Sequence, residues 1–144
     1  MPKDALRNED RQAVLSAIEK AERNTSGEIR VHLENHCKGE TLERALQIFE
    51  KLNMHKTTLR NGVLFYLAIK DHRFAIFGDE GINHRVPDNF WEDIREHMEA
   101  HFRQGRLAEG LVEGIEMAGK QLGQHFPFQS GDKNELPDDI SFGK

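Results

Sequence analysis

Two apolar segments close together in the chain place the strongest limit on its fold. Residues 63–69 and 74–77 are rich in Leu, Ile, Val, Phe and Tyr, and only the polar residues 70–73 separate them. Apolar runs of this length between polar turns are typical of buried strands. The short connection predicts an antiparallel hairpin, and the lack of polar alternation predicts that helices cover both of its faces. The hairpin is therefore predicted to form the centre of a sheet.

The segment before the hairpin predicts a strand, a helix and a parallel return to the sheet. Residues 28–34 alternate polar and apolar side chains, which is typical of a half-buried strand near a sheet edge. A helical apolar pattern follows from about residue 41 to residue 54. A strand, a helix and a second strand in this order predict a parallel pair with a right-handed crossover.

Three further helices are predicted around this sheet. The first covers residues 8–24, which carry one apolar stripe. Pro87 and Asp88 are expected to begin a second, whose apolar residues recur every four positions. The third, residues 106–125, contains glycines spaced to let a neighbouring helix approach closely: Gly110, Gly114, Gly119 and Gly123. The sequence therefore predicts an α/β fold with a mixed sheet and about four helices.

Length and composition indicate one folded domain. The chain has 144 residues, of which 37% are hydrophobic and 31% charged, as is typical of a globular protein. Its net charge of −5 and scattered basic residues predict no nucleic-acid partner, and no apolar stretch is long enough to span a bilayer. The single cysteine, Cys37, and the lack of a signal-peptide pattern predict a cytoplasmic location. Residues 1–127 are predicted to form the domain, and residues 128–144 an acidic, mobile tail.

Chain direction groups polar residues at the two ends of the predicted sheet. Glu28, Asn61 and Asp79 are expected at one end, where the parallel strands start and the antiparallel strand finishes. Asp71, in the hairpin connection, is expected at the opposite end. Carboxylate and amide oxygens suit hard cations, so these four residues are the predicted ligands of Ca²⁺ or Mg²⁺, with the first end preferred. The alternative is that the same residues form turns and helix caps.

Two other arrangements indicate different chemistry but are incomplete. His97 and His101 have the i, i+4 spacing of a zinc-binding helix, but Met98 stands where the related protease motif needs glutamate. Cys37 and Arg44 resemble a cysteine phosphatase loop, but the segment between them is too long for its phosphate cradle. A structural role explains both pairs more simply.

Three separated segments of the chain resemble the TPM domain family, which is similar to thylakoid-lumen acid phosphatase-like proteins of photosystem II repair. They are TSGEIRV, KTTLRNGVLFYLAIKDHRFAIFGDEGI and FRQGRLAEGLVEGI, and the resemblance covers about residues 10–126. It implies a Rossmann-like αβα sandwich with a central sheet of three to four strands, the fourth being short and unplaced. It also implies divalent cation binding and weak acid phosphatase activity. The matching positions with ligand chemistry are Glu28, Asn61, Asp71 and Asp79.

Two functions remain open from the sequence. In the first, the chain is a non-catalytic binding or regulatory module, and the ion organises a loop that docks a protein partner. In the second, it is a metal-assisted phosphatase of phosphomonoesters, with Arg60 or Lys56 neutralising charge beside the ion. The first is preferred because the sequence indicates no nucleophile and no general acid or base. The sequence does not indicate an oligomeric state.

Overall fold

The computed structural model of the protein describes residues 6–128 and 140–143. In chain order the elements are α1 (Asn8–Glu22), β1 (Glu28–Glu34), α2 (Thr41–Lys51), a 3₁₀ turn (Met54–Lys56), β2 (Gly62–Ala68), β3 (Arg73–Gly78), α3 (Glu80–Asn83), α4 (Glu92–Arg103), α5 (Leu107–His125) and β4 (Ile140–Phe142). The strands form one mixed sheet in the order β3-β2-β1-β4, which confirms the predicted α/β fold. None of the described helices is long and apolar enough to cross a membrane.

β1 and β2 form the parallel pair that the sequence predicts. Their register runs from Glu28 opposite Gly62 to Glu34 opposite Ala68, and α2 makes the connection between them. β2 and β3 pair in antiparallel fashion as the predicted hairpin. β2 is an inner strand, but β3 lies at the edge of the sheet, so only one strand of the hairpin is central.

The prediction that β1 is half-buried and near the sheet edge is wrong. All seven of its residues are buried: β2 and β4 pair with its two edges, and helices cover both faces of the sheet. The residues of β4 come from the segment that the sequence assigns to the tail, and the structure instead places them in the sheet. Residues 129–139 and Lys144 of that predicted tail lie outside the described residues. The alternating polar and apolar side chains of β1 therefore face two different buried environments, one polar and one apolar.

Helices pack on both faces of the sheet and form two separate apolar cores. On one face, α1, α4 and α5 enclose a large core that includes Val31, Met98 and Ile115. On the other face, α2 packs against β2 and β3 around a smaller core that includes Phe49 and Tyr66. Helices above and below a central sheet are the layers of the predicted αβα sandwich.

The connection from β3 to α4 differs from the prediction in its boundaries. The short helix α3 follows β3 directly, and Asp79 caps it by accepting a hydrogen bond from the Glu80 amide at 2.8 Å. Residues 88–91 form turns, and α4 begins at Glu92 rather than at Pro87. The extra short helix keeps Asp79 fixed at the end of β3.

Candidate functional site

The end of the sheet at which β1 and β2 start holds three of the four predicted ligands. The Asn61 carbonyl accepts a hydrogen bond from the Glu28 amide at 3.3 Å, and the Gly62 carbonyl accepts one from the Asp79 amide at 3.0 Å. Glu28, Asn61 and Asp79 are all buried, with at most 4% of each exposed. The backbone thus gathers these residues as chain direction predicts.

Arg60 binds both carboxylate oxygens of Asp79. Its Nε lies 2.7 Å from Oδ2 and its Nη2 lies 2.8 Å from Oδ1, while Nη1 lies 3.1 Å from Oε1 of Glu80. The hydrogen bonds to Asp79, followed by the charges of both carboxylates, raise the pKa of Arg60. The Asp79 side chain is 5% exposed and that of Arg60 is 39% exposed, so the guanidinium covers the carboxylate on its solvent side. Two acidic side chains therefore share one positive group.

The other two predicted ligands at this end occupy different positions relative to Asp79. The Asn61 side chain donates to the Ser26 hydroxyl at 3.3 Å, which joins the loop before β1 to the loop before β2. Glu28 begins β1, and β2 separates it from the end of β3. Two strand spacings place their backbones about 10 Å apart. Asn61 therefore has a structural partner, and Glu28 is a more distant neighbour of Asp79.

Asp71 lies at the opposite end of the sheet and fastens the hairpin to the loop after β1. One of its carboxylate oxygens lies 2.8 Å from Nδ1 of His36, and the other accepts a hydrogen bond from the Cys37 amide at 2.7 Å. The contact with His36, followed by that with the Cys37 amide, lowers the pKa of Asp71. The length of the sheet separates Asp71 from Asp79, so the structure does not bring all four predicted ligands together.

The oxygen donors at the Asp79 end suit a cation at the position that the Arg60 guanidinium takes. In residues 6–128 and 140–143, no group of three or more His, Cys, Asp or Glu side chains is arranged to hold a metal ion. Asp79 and Glu80 nevertheless converge on one positive group. Hard divalent cations prefer carboxylate oxygens of this kind. An ion at this place therefore requires that the guanidinium move aside.

A second polar cluster, which the sequence analysis misses, is buried between the sheet and α2. We call it the Glu34 network, and its members are His32, Glu34, Arg44, Tyr66 and Ser141. Arg44 donates from Nε and Nη2 to the two carboxylate oxygens of Glu34, each at 2.9 Å. The Tyr66 hydroxyl also donates to Glu34, and His32 contacts Glu34 Oε1 at 3.2 Å and the Ser141 hydroxyl at 2.7 Å. One carboxylate thus connects β1, β2 and α2, and His32 extends the network to β4.

One signal in the sequence indicates the Glu34 network. Tyr66 is the single tyrosine of the chain and lies inside an apolar run, and a buried tyrosine hydroxyl needs a hydrogen-bond partner. In the parallel register Tyr66 stands directly opposite His32, and their rings stack with centroids 6.0 Å apart. The polar face of β1 therefore supplies the hydrogen-bond partner of Tyr66.

Burial and hydrogen bonding determine the charges within the network. Burial opposes the ionisation of Glu34, but hydrogen bonds from Arg44, Tyr66 and His32 outweigh it and lower the pKa of the carboxyl. Burial lowers the pKa of His32, although the Glu34 carboxylate acts in the opposite direction. Burial, followed by the hydrogen bond to Glu34, raises the pKa of Tyr66. At neutral pH, Glu34 and Arg44 are therefore charged, whereas His32 and Tyr66 are neutral.

We expect the protein to lose stability as the pH falls below 6.5, the ordinary pKa of histidine. Because the pKa of His32 is lower in the folded state, the unfolded state binds the proton first as the pH falls. The free energy of unfolding therefore decreases with falling pH until the folded protein also binds the proton. Below 4.5, the lowered pKa of Glu34 acts in the same direction. Urea unfolding at a series of pH values from 7.5 to 5.5 measures the effect. His32→Gln cannot titrate and should lose less stability over this range, and equal losses in both proteins would contradict the assignment to His32.

The histidine pair of α4 contacts an acidic residue of α5. His101 Nε2 lies 2.5 Å from Oε2 of Glu113, and His97 Nε2 lies 4.0 Å from the other oxygen of the same carboxylate. His97 also donates from Nδ1 to the Asp93 carbonyl at 2.8 Å. These contacts join the two helices, which is a structural role for the pair.

Comparison with known proteins identifies the family. A family model described as the TPM domain matches residues 2–121. The chain therefore belongs to the TPM domain family, as its three sequence segments indicate. It is similar to the BA42 protein of the psychrophilic bacterium Bizionia argentinensis, whose NMR structure has 47% sequence identity and a TM-score of 0.91, covering 96% of this chain and 95% of that chain.

A more distant structure has the same fold. The N-terminal domain of the cg2496 protein from Corynebacterium glutamicum has a TM-score of 0.62 and 14% sequence identity, covering 94% of this chain and 79% of that chain. At this identity the likeness concerns the fold alone. No match was found among curated proteins.

Proposed function

We propose that the protein is a binding or regulatory module that exchanges the Arg60 guanidinium for a divalent cation, Ca²⁺ or Mg²⁺. The observation that carries the proposal is the convergence of Asp79 and Glu80 on this one guanidinium, with N–O distances from 2.7 to 3.1 Å. With Arg60 in place, two carboxylates share a single positive charge. A bound divalent cation supplies two positive charges and so neutralises both carboxylates.

The residues of the predicted site take different parts in this proposal. Asp79 and Glu80 supply the carboxylate oxygens. Asn61 has a structural part, because its side-chain amide donates a hydrogen bond to the Ser26 hydroxyl and so connects the loops before β1 and β2. Glu28 lies at the same end of the sheet as a neighbouring acidic residue, whereas Asp71 lies at the opposite end and is already engaged by the His36 ring and a backbone amide.

A regulatory role would follow from the conformation of the Arg60 segment. Arg60 has φ of 53°, a left-handed conformation that is uncommon for residues other than glycine. Its carbonyl accepts a hydrogen bond from the Gly81 amide at 2.9 Å, so the segment rests on α3. Leu59, the preceding residue, is 46% exposed. Loss of the Arg60–Asp79 pair would release this segment and change how Leu59 is presented to a protein partner.

The first test compares ion affinities of single variants. Asp79→Asn is expected to weaken Ca²⁺ or Mg²⁺ binding about tenfold or more, because a charged ligand is lost while the cap of α3 is kept. Arg60→Gln is expected to strengthen binding about tenfold, because the competing guanidinium is removed. Calorimetric titration measures both affinities, and amide NMR shifts at residues 78–82 locate the ion.

Asp71→Asn is the matched control for Asp79→Asn. It removes the same charge at the opposite end of the sheet, and its ion affinity is expected to equal that of the unmodified protein. The proposal is contradicted if Asp79→Asn binds the ion as tightly as the unmodified protein, or if the NMR shifts are confined to the loop around Asp71.

A metal-assisted hydrolase of phosphomonoesters is the second function that the same residues support. Arg60 is 39% exposed beside two carboxylates, and guanidinium groups bind phosphoryl oxygens through two parallel hydrogen bonds. A phosphomonoester assay with and without Mg²⁺ separates the two functions. Hydrolysis that requires the ion and disappears in Asp79→Asn supports the enzyme, and ion binding without turnover supports the module. A rate that persists in the variant indicates activity from another source.

A further inference from the structure

We propose that a cleft at the far end of the sheet from Asp79 binds a small amphiphilic carboxylate. The cleft has a volume of about 620 Å³ and lies between the β2–β3 turn and the turn that joins α4 to α5, so we call it the hairpin cleft. Cavities that bind small organic molecules typically measure about 300–1,000 Å³ and are mainly apolar, with a few polar groups. In this proposal the aliphatic part of the ligand lies inside, and the carboxylate binds arginine side chains at the rim.

The inner surface of the hairpin cleft is mainly apolar. β2 and β3 contribute Leu67 and Phe74, and α4 and α5 contribute Phe102 and Leu107. The rings of Phe74 and Phe102 pack edge to face with their centroids 5.1 Å apart, which joins the two walls. Phe74, Phe102 and Leu107 are only partly buried, so an aliphatic chain in the cleft would remove more of their apolar surface from water.

Two arginines give the opening of the hairpin cleft a positive charge. Arg73 donates from Nη1 to the Gly39 carbonyl at 2.9 Å, and Arg103 contacts Glu99 through Nη2 at 2.5 Å. Each guanidinium has five N–H donors, so these contacts use a small part of them. Among the described lining residues Glu99 is the one acidic side chain and it pairs with Arg103, so the two arginines give the lining one positive charge in excess. Asp71, which does not line the cleft, also interacts electrostatically with Arg73. The excess charge complements a single carboxylate.

Two other places in the molecule suit such a ligand less well. A cavity of about 530 Å³ between α1 and α5 is lined mostly by polar and charged side chains, including Lys20, Glu116 and Lys120. The Asp79 end of the sheet presents carboxylates, which repel a carboxylate ligand. The hairpin cleft combines an apolar interior with a positive rim. Its distance from Asp79 makes the proposal independent of cation binding.

Titration with octanoate, followed by ¹H–¹⁵N NMR, tests the proposal. Octanoate is expected to saturate one site and to shift the amides of residues 67–74 and 102–107. Octan-1-ol has the same chain without the charge and is expected to bind about fivefold more weakly, because the charge-assisted hydrogen bonds are missing. Equal affinities for octanoate and octan-1-ol, or shifts located outside these two segments, would overturn the proposal.

Substitutions at the rim provide the second arm of the test. The double variant Arg73→Gln and Arg103→Gln changes two exposed side chains and is expected to weaken octanoate binding about fivefold while leaving octan-1-ol binding unchanged. Arg95→Gln is the matched control, because Arg95 is an exposed residue of α4 that does not line the cleft. It should bind octanoate as the unmodified protein does. Octanoate affinity that is the same in the double variant and the control would rule out the two arginines as the carboxylate site.

Discussion

Replacing Glu34 with alanine is expected to lower the free energy of unfolding by about 3–4 kcal/mol, the largest effect that we expect from a single substitution in this protein. The Glu34 side chain is 2% exposed and accepts hydrogen bonds from Arg44, Tyr66 and His32. Without the carboxylate, the buried tyrosine hydroxyl and the partly buried guanidinium of Arg44 lose their acceptor. Arg44 is 32% exposed, so water replaces part of its lost interaction, and we expect a value near the lower end of the range for broken buried pairs.

Urea unfolding at pH 7 measures the effect of Glu34→Ala. Glu50→Ala is the control, because Glu50 is an exposed acidic residue of α2, and its change should stay within about 0.5 kcal/mol. Tyr66→Phe keeps the buried ring and removes one donor, so an intermediate loss of about 1–2 kcal/mol is expected. A loss below about 1 kcal/mol in Glu34→Ala would show that the Glu34 network contributes little to stability.

Gly119→Ala is expected to lower the free energy of unfolding by about 2 kcal/mol, because α1 and α5 are in direct contact at this glycine. A Cβ atom on Gly119 would lie 2.5 Å from Cβ and 2.8 Å from Cα of Ala21. These atoms are fixed to the backbone of α1, so the two helices must move apart and lose packing along their contact. The better helix propensity of alanine offsets about 0.5–1 kcal/mol of this loss.

Gly114→Ala is the matched control, since it makes the same change in the same helix. A Cβ atom on Gly114 would lie 2.5 Å from Sδ of Met98, which is part of a flexible side chain. The Met98 side chain is buried but unbranched, and we expect its thioether end to shift, so the net change is expected to stay within about 1 kcal/mol. Thermal or urea unfolding of the two variants measures the difference, in which the helix propensity term cancels. Equal losses would contradict the view that backbone contact makes Gly119 necessary.

Local sequence patterns predicted most of the fold, and β1 and β4 show where they failed. The hairpin, the parallel pair and the long α5 follow from apolar periodicity, which each segment carries in its own residues. The alternation in residues 28–34 predicted the strand but placed its polar face in solvent. That face is buried, because α2 and the short strand Ile140–Phe142 supply polar partners from other parts of the chain. A strand of three residues is too short to produce a recognisable pattern of its own.

The location of the candidate site at one end of the sheet was predictable from the sequence. The side-chain pairs within it were not. Chain direction placed Glu28, Asn61 and Asp79 at one end of the sheet, and the backbone hydrogen bonds there agree. The partner of Asp79 is Arg60, which the sequence placed at the same end without identifying its partner. In the folded chain Arg60 has a positive φ and its side chain reaches Asp79 at the end of β3. Nothing in the residue types around Arg60 requires that conformation.

The type and order of the longer helices and of β1 to β3, and the residues that share an end of the sheet, follow from the sequence alone. These properties follow from the spacing of apolar residues and from chain direction, and both are visible in the linear sequence. The pairing of the charges, with Glu34 bound by Arg44 and Asp79 bound by Arg60, depends on the packed fold. The energy of an ion pair depends on the distance between its groups and on how far they are removed from water. Both quantities exist only after every helix and strand has packed, so the chemistry available at the Asp79 end is a property of the folded molecule.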